Sequence, residues 1–360
     1  MLGYEPTAGN KTAGGWILKR RRDNISQRAV RAVVLVALVP CPWLAAQSCT
    51  TQAKMTPEVR SGLADAALSF AQAVLAGDTA KVQAATVAEY ATGAGFAQTS
   101  ALVQSTAAKL TGDALAVTQI YLLDAKNRKA GDPSDADFSC VLTGTAAETD
   151  FSISGLPPGA YGFAMVEATG ARPFLLALLM RQDAGVWKMA GFYPRARTAA
   201  GHDGMWYWTA ARDHVKAKEL WVAWLFYGEA DKLLRPANFA TSTGLDKLRA
   251  EERSALPAEL TDGISAQTPL ALKAADGSDY SFVGIDAEGS EDGKQLNLLL
   301  RLKADSVSDV EATKTRNRAA AKALLDAHKE LRPAFNRVLV FAEAAGQSPL
   351  VTDNTMQEIP

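Results

Sequence analysis

Apolar positions in the first part of the chain repeat with a helical period. The sequence Thr56-Pro57-Glu58 combines a hydroxyl N-cap, a proline at the first helical position and an acid near the positive end of the helix dipole. Apolar residues follow at helical spacing from Leu63 to Leu75, and Gly77-Asp78 ends the pattern. Two more alanine-rich helices are predicted, one to about residue 91 and one over about 95–109.

The pattern then changes to short apolar runs separated by turn residues, which is typical of strands. Turns are predicted at Pro157-Pro158-Gly159 and at Asp183-Ala184-Gly185. The segment FLLALLM is predicted as a strand because it is only seven residues long and lies between Pro173 and the second turn. Helices followed by antiparallel strands indicate an α+β fold. The predicted strands are 114–125, 138–144, 160–168, 174–182 and 185–193.

Two sequences at the ends of this region resemble a known family. FAQAVLAGDTAKVQAATVAEY and DAGVWKMAGFY resemble the opening helix and closing strand of the small nuclear-transport-factor-2-like (SnoaL-like) cone, over about residues 56–195. The resemblance implies a curved antiparallel sheet around helices, with a pocket for a small apolar ligand. Some members are enzymes and many are binding or accessory modules. The candidate pocket-wall residues are Tyr90, Phe96, Tyr121 and Trp187.

Catalytic residues do not carry over from the family. Its isomerase branch uses an acid–base pair, which cannot be placed on named residues of this sequence. Asp124 is the one carboxylate considered for such work, and a charged strand end beside an exposed loop is the simpler interpretation. The chain has no nucleophile elbow, phosphate-binding loop or dinucleotide-binding glycine motif. No catalytic residue and no cofactor are therefore predicted.

Residues 203–236 contain four of the seven tryptophans of the chain. The segment resembles one tetratricopeptide-type helical hairpin, with Tyr207 and Ala211 at matching positions and His214 and Pro236 as departures. One continuous helix is the alternative, because neither Gly nor Pro occurs between Val215 and Phe226. A single repeat cannot bury its own apolar face. We therefore expect interdomain or partner packing for Trp206, Trp208, Trp221, Trp224 and Tyr227.

The last hundred residues predict a second α+β domain, in which no family is recognised. A capping box at Ser308-Asp309-Val310-Glu311 begins a helix that Pro333 ends. Strands are predicted at 268–274, 279–287, 294–304 and 336–344, with an edge strand after them. The predicted organisation is a cone-like domain over 56–195, a hairpin and connector over 196–260, and a C-terminal domain over 261–360.

Residues 1–48 have the layout of a secretory signal peptide. They hold seven Lys or Arg and two acidic residues, and KRRRDNISQRAVR precedes AVVLVALVPCPWLAA. The alternative is an uncleaved membrane anchor, for which fifteen residues with two prolines are short. The remaining chain has a net charge of −6, which argues against a nucleic-acid partner. The protein is thus predicted to be exported, either to the periplasm or as a membrane-anchored lipoprotein.

The three cysteines leave two alternatives open. Cys49 follows Ala46-Gln47-Ser48, which resembles the bacterial lipoprotein box but departs from it at Ala46 and Gln47. If Cys49 is lipidated, Cys140 is a lone thiol, which is typically buried. If Cys49 is not lipidated, a Cys49–Cys140 disulfide is expected in an oxidising compartment. Cys41 lies in the signal, and the spacings make no metal site.

The other polar candidates have simple structural interpretations. We expect Asp203, beside His202, to cap the next helix, His214 to pack inside the hairpin, and His328 to lie near a helix C-terminus. The basic group of Lys314, Arg316, Arg318 and Lys322 is interpreted as a solvated face. The sequence therefore predicts a non-enzymatic binding or scaffold module with an envelope protein as partner. The alternatives are a small-molecule binder or weak hydrolase or isomerase using the cone pocket, and a purely structural accessory domain.

Overall fold

The structure is a computed structural model that describes residues 47–110, 114–142 and 144–359. The predicted signal peptide lies outside these residues, except for Gln47 and Ser48. The described residues form eight α-helices and fifteen strands, which confirms the α+β class. None of the described helices combines the length and apolar character that crossing a bilayer requires.

The helices and strands have the following bounds. The helices are α1 (Pro57–Leu75), α2 (Thr79–Ala84), α3 (Gly93–Ala107), α4 (Gly204–Ala217), α5 (Leu220–Leu234), α6 (Thr243–Ser254), α7 (Val310–Ala327) and α8 (Leu331–Ala334). The strands are β1 (Ser48–Thr51), β2 (Ala114–Asp124), β3 (Asp135–Val141), β4 (Glu148–Ser154), β5 (Ala160–Thr169), β6 (Phe174–Asp183), β7 (Val186–Ala196), β8 (Thr198–Ala199), β9 (His202–Asp203), β10 (Ala240–Ser242), β11 (Leu270–Lys273), β12 (Asp279–Gly289), β13 (Leu296–Lys303), β14 (Arg337–Glu343) and β15 (Leu350–Thr355).

The N-terminal half is built on a five-stranded antiparallel sheet in the order β1-β2-β5-β6-β7. Bulges in the β2–β5 and β6–β7 pairs bend it. Helix α1 starts as predicted, since the Thr56 hydroxyl accepts a hydrogen bond from the Val59 N–H at 3.4 Å. Its apolar stripe, which includes Leu63 and Phe70, packs on one face of the sheet and forms the helix-side cluster. Burial of this stripe fixes the helix on the sheet.

A smaller sheet in the order β10-β4-β3 covers part of the other face. The cluster between the two sheets, the intersheet cluster, is rich in aromatic rings, with Phe151 and Phe163 centred 4.9 Å apart. Strands β1, β4 and β10 were not predicted from the sequence. Strands β1 and β10 pair with strands that are distant in sequence, whereas β4 pairs with its neighbour β3 but has a short, polar sequence that does not reveal a strand.

Cys49 on β1 forms a disulfide with Cys140 on β3. Of the two alternatives for these cysteines, the structure contains the disulfide, so Cys140 is not a lone thiol. The Sγ atom of Cys49 is the atom that a lipoprotein anchor would modify. Lipidation of Cys49 is incompatible with this bond.

Residues 204–234 form a helical hairpin, so the single-helix alternative is wrong. Helix α4 ends at Ala217 and is capped by Lys218, whose φ of 63° is left-handed. Helix α5 begins two residues after this cap. A left-handed cap is usually Gly or Asn, which explains why the sequence carried no break signal. At the other end, the Asp203 carboxylate accepts a hydrogen bond from the Trp206 N–H at 2.8 Å, so the predicted cap is confirmed.

The C-terminal sheet has the order β11-β12-β13-β14-β15 and is antiparallel except for the β13–β14 pair, which α7 connects. The predicted capping box at Ser308 is wrong, because Asp309 caps α7 and accepts a hydrogen bond from the Ala312 N–H. The predicted end at Pro333 is also wrong, since α7 ends at Ala327 and Pro333 lies in α8. One core cluster contains residues of α7, the sheet and the hairpin, including Trp208, Trp221 and Tyr227. The hairpin and the C-terminal sheet thus share a core.

The five aromatic residues predicted to pack do not share one environment. Trp208, Trp221 and Tyr227 are buried and Trp224 is partly buried against the same core. Trp206 is 42% exposed and stacks on His202 with ring centres 3.7 Å apart. The segment after the hairpin reaches the other half of the molecule, since the rings of Phe239 and Tyr193 are centred 5.0 Å apart.

Candidate functional site

The structure does not bring the four candidate pocket residues together. Tyr121 is buried in the intersheet cluster and its hydroxyl lies 3.2 Å from that of Thr149. Phe96 and Trp187 pack on the helix-side cluster, on the opposite face of the sheet. Tyr90 is 46% exposed. These residues are core and surface positions rather than the walls of one cavity.

The space between α1 and the five-stranded sheet is occupied by the side chains of the helix-side cluster. Leu63, Phe70 and Leu176 are essentially fully buried there. None of the three cavities found at the described surface is lined by Tyr90, Phe96, Tyr121 or Trp187. In the described residues, the interior of the predicted cone is therefore hydrophobic core.

The largest of these cavities, about 700 Å³, lies between the N-terminal half, the hairpin and the C-terminal sheet. We call it the cleft. A second cavity of about 270 Å³ adjoins it and shares four lining residues with it. The shared residues are Pro173, Phe174, Thr198 and Leu233.

Successive side chains of a strand point to opposite faces of the C-terminal sheet, and this alternation gives the cleft a polar wall. Leu296, Leu298 and Leu300 on β13 point into the core shared with the hairpin, whereas Asn297 between them lines the cleft. On β14, Val338 is in the same core and Arg337 lines the cleft. One face of the sheet therefore builds the core and the other builds the site.

Glu229 is the buried acid of the cleft. It lies on α5 and is only 3% exposed. It occupies the buried stripe Val222, Phe226, Glu229 and Leu233, whose spacing of four, three and four residues is that of a core-facing helix surface. From the sequence, Glu229 was not among the candidate site residues. Its place in the apolar stripe was the signal that could have identified it.

One oxygen of the Glu229 carboxylate, Oε2, lacks a close hydrogen-bond partner, although a hydrogen bond from the Gly289 backbone acts on the carboxyl group. Among the described residues, nothing donates a hydrogen bond to its Oε2 atom, and the Lys232 ammonium is 3.8 Å away. That ammonium contacts the Asp286 carboxylate and the Ala287 carbonyl instead, both at 2.6 Å. Burial raises the pKa of Glu229 to about 7, against the opposing effect of Lys232. The carboxyl can therefore exchange its proton near neutral pH.

A second acceptor lines the cleft. Asn297 is 8% exposed, and its Oδ1 atom has no hydrogen-bond partner in the described structure. Buried polar atoms normally have such partners, because an unpaired one costs desolvation free energy. Glu229 and Asn297 thus give the cleft two oxygen acceptors that a donor-bearing ligand can satisfy.

Two cations line the same cleft without ion pairs. Arg172 donates hydrogen bonds to the backbone carbonyls of Glu291 and Lys109. Within the described part of the chain, neither Arg172 nor Lys109 has a carboxylate within 4.0 Å, although Arg337, also in the cleft, pairs with Asp353 at 2.6 Å. The cleft therefore offers positive charge as well as acceptors.

The other sequence candidates have local roles. The Nδ1 atom of His214 contacts the Glu219 carboxylate at 2.6 Å within the hairpin. His328 packs against the Trp221 ring, and burial lowers its pKa. Asp124 accepts a hydrogen bond from the Lys126 N–H at a strand end.

The basic group on α7 is engaged by neighbouring groups. Lys314 pairs with Glu311 and Lys322 pairs with Asp326. The side chains of Arg318 and Arg316 donate hydrogen bonds to Asn354 and to the Ser306 carbonyl. These contacts favour the surface interpretation over an anion site.

No family model, curated protein or solved structure matches this chain. In the described segments, no three His, Cys, Asp or Glu side chains gather as a metal site requires. The function must therefore be argued from the cleft itself.

Proposed function

We propose that this chain is an exported binding protein of the cell envelope, and that it takes a small polar molecule into the cleft between its two halves. The observation that carries the proposal is Glu229. It is a buried carboxylate with an oxygen that accepts no hydrogen bond from the described residues, and it lines a cavity of about 700 Å³. Such a cavity matches the size range of small-molecule sites, and a buried acid with a raised pKa is typical of functional sites.

The composition of the cleft favours binding over covalent catalysis. Its lining residues include neither histidine nor cysteine. Of its two hydroxyl residues, Thr198 and Ser290, the second donates a hydrogen bond to Asp292 at 2.5 Å in an exposed turn. The lining therefore lacks the imidazole base and the thiol nucleophile that many covalent mechanisms use.

Two features of the chain support export. The leader sequence has the basic, apolar and small-residue order of a signal peptide. The Cys49–Cys140 disulfide belongs to an oxidising compartment. Strand β1 starts at Ser48, so cleavage after Ala46 keeps the whole strand, whereas cleavage after Ser48 removes its first residue.

A protein partner is the second candidate, and it rests on a different observation. Met205 is 52% exposed and Trp206 is 42% exposed, at the start of α4. Met205 also lines the smaller cavity. Exposed Met and Trp side chains are enriched in protein interfaces, so this site suits an envelope protein that covers the cleft.

Native mass spectrometry of the protein, gently purified from its own cell envelope, tests both candidates. A small molecule that is bound to the wild-type protein and absent from Glu229→Gln supports ligand binding in the cleft. Glu252→Gln is the matched control, because burial also raises the pKa of Glu252 and this residue is outside the cleft lining. A stoichiometric protein partner that Trp206→Ser releases supports the second candidate. A bare protein from several growth conditions contradicts both.

A further inference from the structure

We infer that the ligand of the cleft is a dipolar molecule of the amino-acid type, with its ammonium group at Glu229 and Asn297 and its carboxylate at Lys109 and Arg172. This inference rests on the proposed function and names its ligand class. It follows from three observations: the acceptor oxygens without a hydrogen-bond donor, the cations without ion pairs and the turn that connects them.

The acceptors define the ammonium end. Glu229 Oε2 and Asn297 Oδ1 both lack a donor among the described residues, and both residues line the cleft. An ammonium group has three donors and no acceptor, and a charged donor forms a stronger hydrogen bond to a carboxylate than a hydroxyl does. The Lys232 ammonium does not take this place, because Asp286 and Ala287 hold it.

The cations define the carboxylate end. The Arg172 guanidinium contacts only backbone carbonyls, which leaves its positive charge without a counter-charge in the described residues. The Lys109 backbone carbonyl is next to it, and the Lys109 side chain, which also lines the cleft, forms no ion pair within the same part of the chain. Arg and Lys together form the usual protein partners of a carboxylate, and Arg can bind it through two parallel N–H groups.

One short turn connects the two ends. The backbone of Gly289 lies near the Glu229 carboxylate and slightly lowers its pKa. Two residues further on, the Glu291 carbonyl accepts a hydrogen bond from Arg172. Two residues span at most about 7 Å, so the separation of the two charge sites has an upper bound on the order of 10 Å. A short aminoalkanoate or an amino acid with a short side chain fits within this bound.

A length series of probes tests the inference on the full, processed chain. The probes are 3-aminopropanoate, 4-aminobutanoate and 6-aminohexanoate, with n-butylamine, butanoate and the neutral polyol erythritol as single-feature controls. Isothermal titration and thermal unfolding measure binding. We expect one aminoalkanoate to bind about tenfold or more tightly than the amine or the acid alone, because only a dipolar probe contacts both ends.

Single substitutions test which residues bind the ammonium end and the carboxylate end of the ligand. Glu229→Gln and Arg172→Gln should each weaken binding of that aminoalkanoate about tenfold or more, because each removes a charge-assisted hydrogen bond. Lys109→Gln is a second test of the carboxylate end, because its side chain makes no ion pair that folding depends on in the described residues. Glu252→Gln and Arg301→Gln are the matched controls, since both residues are outside the cleft lining.

The outcomes separate this inference from the proposed function. Binding of erythritol that depends on Glu229, without binding of any aminoalkanoate, would overturn the dipolar ligand and leave the cleft as a binding site. Aminoalkanoate binding that is unchanged in both Arg172→Gln and Lys109→Gln would overturn it as well. If none of the probes binds and the native protein carries no small molecule, both the inference and the proposed function fail.

Discussion

Glu229 and Lys232 lie one turn apart on α5, with Oε2 and Nζ 3.8 Å apart, yet they do not share a hydrogen bond. The Lys232 ammonium lies 2.6 Å from Asp286, at the edge of the C-terminal sheet. The hairpin therefore uses its lysine to attach to the sheet and leaves its buried carboxylate for the cleft. This division connects the packing of the two elements with the chemistry of the site.

Glu229→Gln should change how stability depends on pH. The pKa of Glu229 is about 7 in the folded protein against its ordinary value of 4.5, so between these pH values the folded state binds more protons than the unfolded state. The free energy of unfolding therefore falls as pH rises through this window. Relative to wild type, the free energy of unfolding of Glu229→Gln should increase by about 3 kcal/mol between pH 4 and pH 8.

Urea denaturation at several pH values measures this difference. Asp78→Asn is the control of opposite sign, because hydrogen bonds at a helix N-terminus lower the pKa of Asp78. The stability of Asp78→Asn relative to wild type should fall as pH rises. A Glu229→Gln difference that does not vary with pH would show that the carboxyl ionises freely in the folded protein.

Binding of a dipolar ligand should tighten as pH rises through about 7. The ammonium group needs the ionised carboxylate, and the ionised fraction of a group with a pKa near 7 increases about tenfold between pH 6 and pH 8. Titration of the tightest aminoalkanoate at both pH values measures the change in Kd. In Glu229→Gln the residual binding should lose this dependence. Equal affinity at both values in the wild type contradicts an ammonium at Glu229.

Loss of the disulfide should destabilise the N-terminal half. Cys49 and Cys140 are 91 residues apart, and a loop of this length corresponds to about 4.6 kcal/mol in the chain-entropy model. Cys140→Ser should therefore unfold at lower urea concentration, and reduction of the wild type should have a similar effect. Peptide mapping without reductant should join the peptide that holds Cys49 to the peptide that holds Cys140. A diacylglyceryl group on Cys49 would contradict this arrangement.

Gly289 and Gly228 should respond in opposite directions to alanine. A Cβ on Gly289 would lie 2.9 Å from the Cβ of Ala199, where β8 approaches the end of β12, so Gly289→Ala should cost about 1–3 kcal/mol. The double variant with Ala199→Gly should recover part of this loss. Gly228 lies within α5 with its nearest neighbour at 3.9 Å, so Gly228→Ala should stabilise by up to about 1 kcal/mol.

Chemical denaturation measures all of these glycine variants. Equal effects of Gly289→Ala with and without Ala199→Gly would show that the close approach of β8 and β12 is not the cause. Since Gly289 and Ala199 both line the cleft, ligand binding by the double variant also shows whether this approach sets the shape of the cleft.

The elements that the sequence predicted correctly are those with local signals. Helix α1 follows from Thr56, Pro57 and the apolar stripe after them, and β6 follows from a short apolar run between turn residues. The hairpin was one of two alternatives because its break is a lysine in the left-handed conformation, which has no sequence signature. Strands β1 and β10 were missed because their pairing partners are remote in sequence, whereas β4 forms a hairpin with β3 and was missed because its own sequence is short and polar.

By itself, the sequence determined the α+β class, the helix caps at Thr56 and Asp203 and the aromatic concentration in the hairpin, because each depends on residues that are close along the chain. Only the tertiary structure decided that Glu229 is buried, that Cys49 meets Cys140 and that Lys109, Arg172 and Asn297 line one cleft. These relationships join segments that are far apart in sequence. The physical reason is that burial, and with it the pKa and the hydrogen-bonding needs of a side chain, depends on what packs against it.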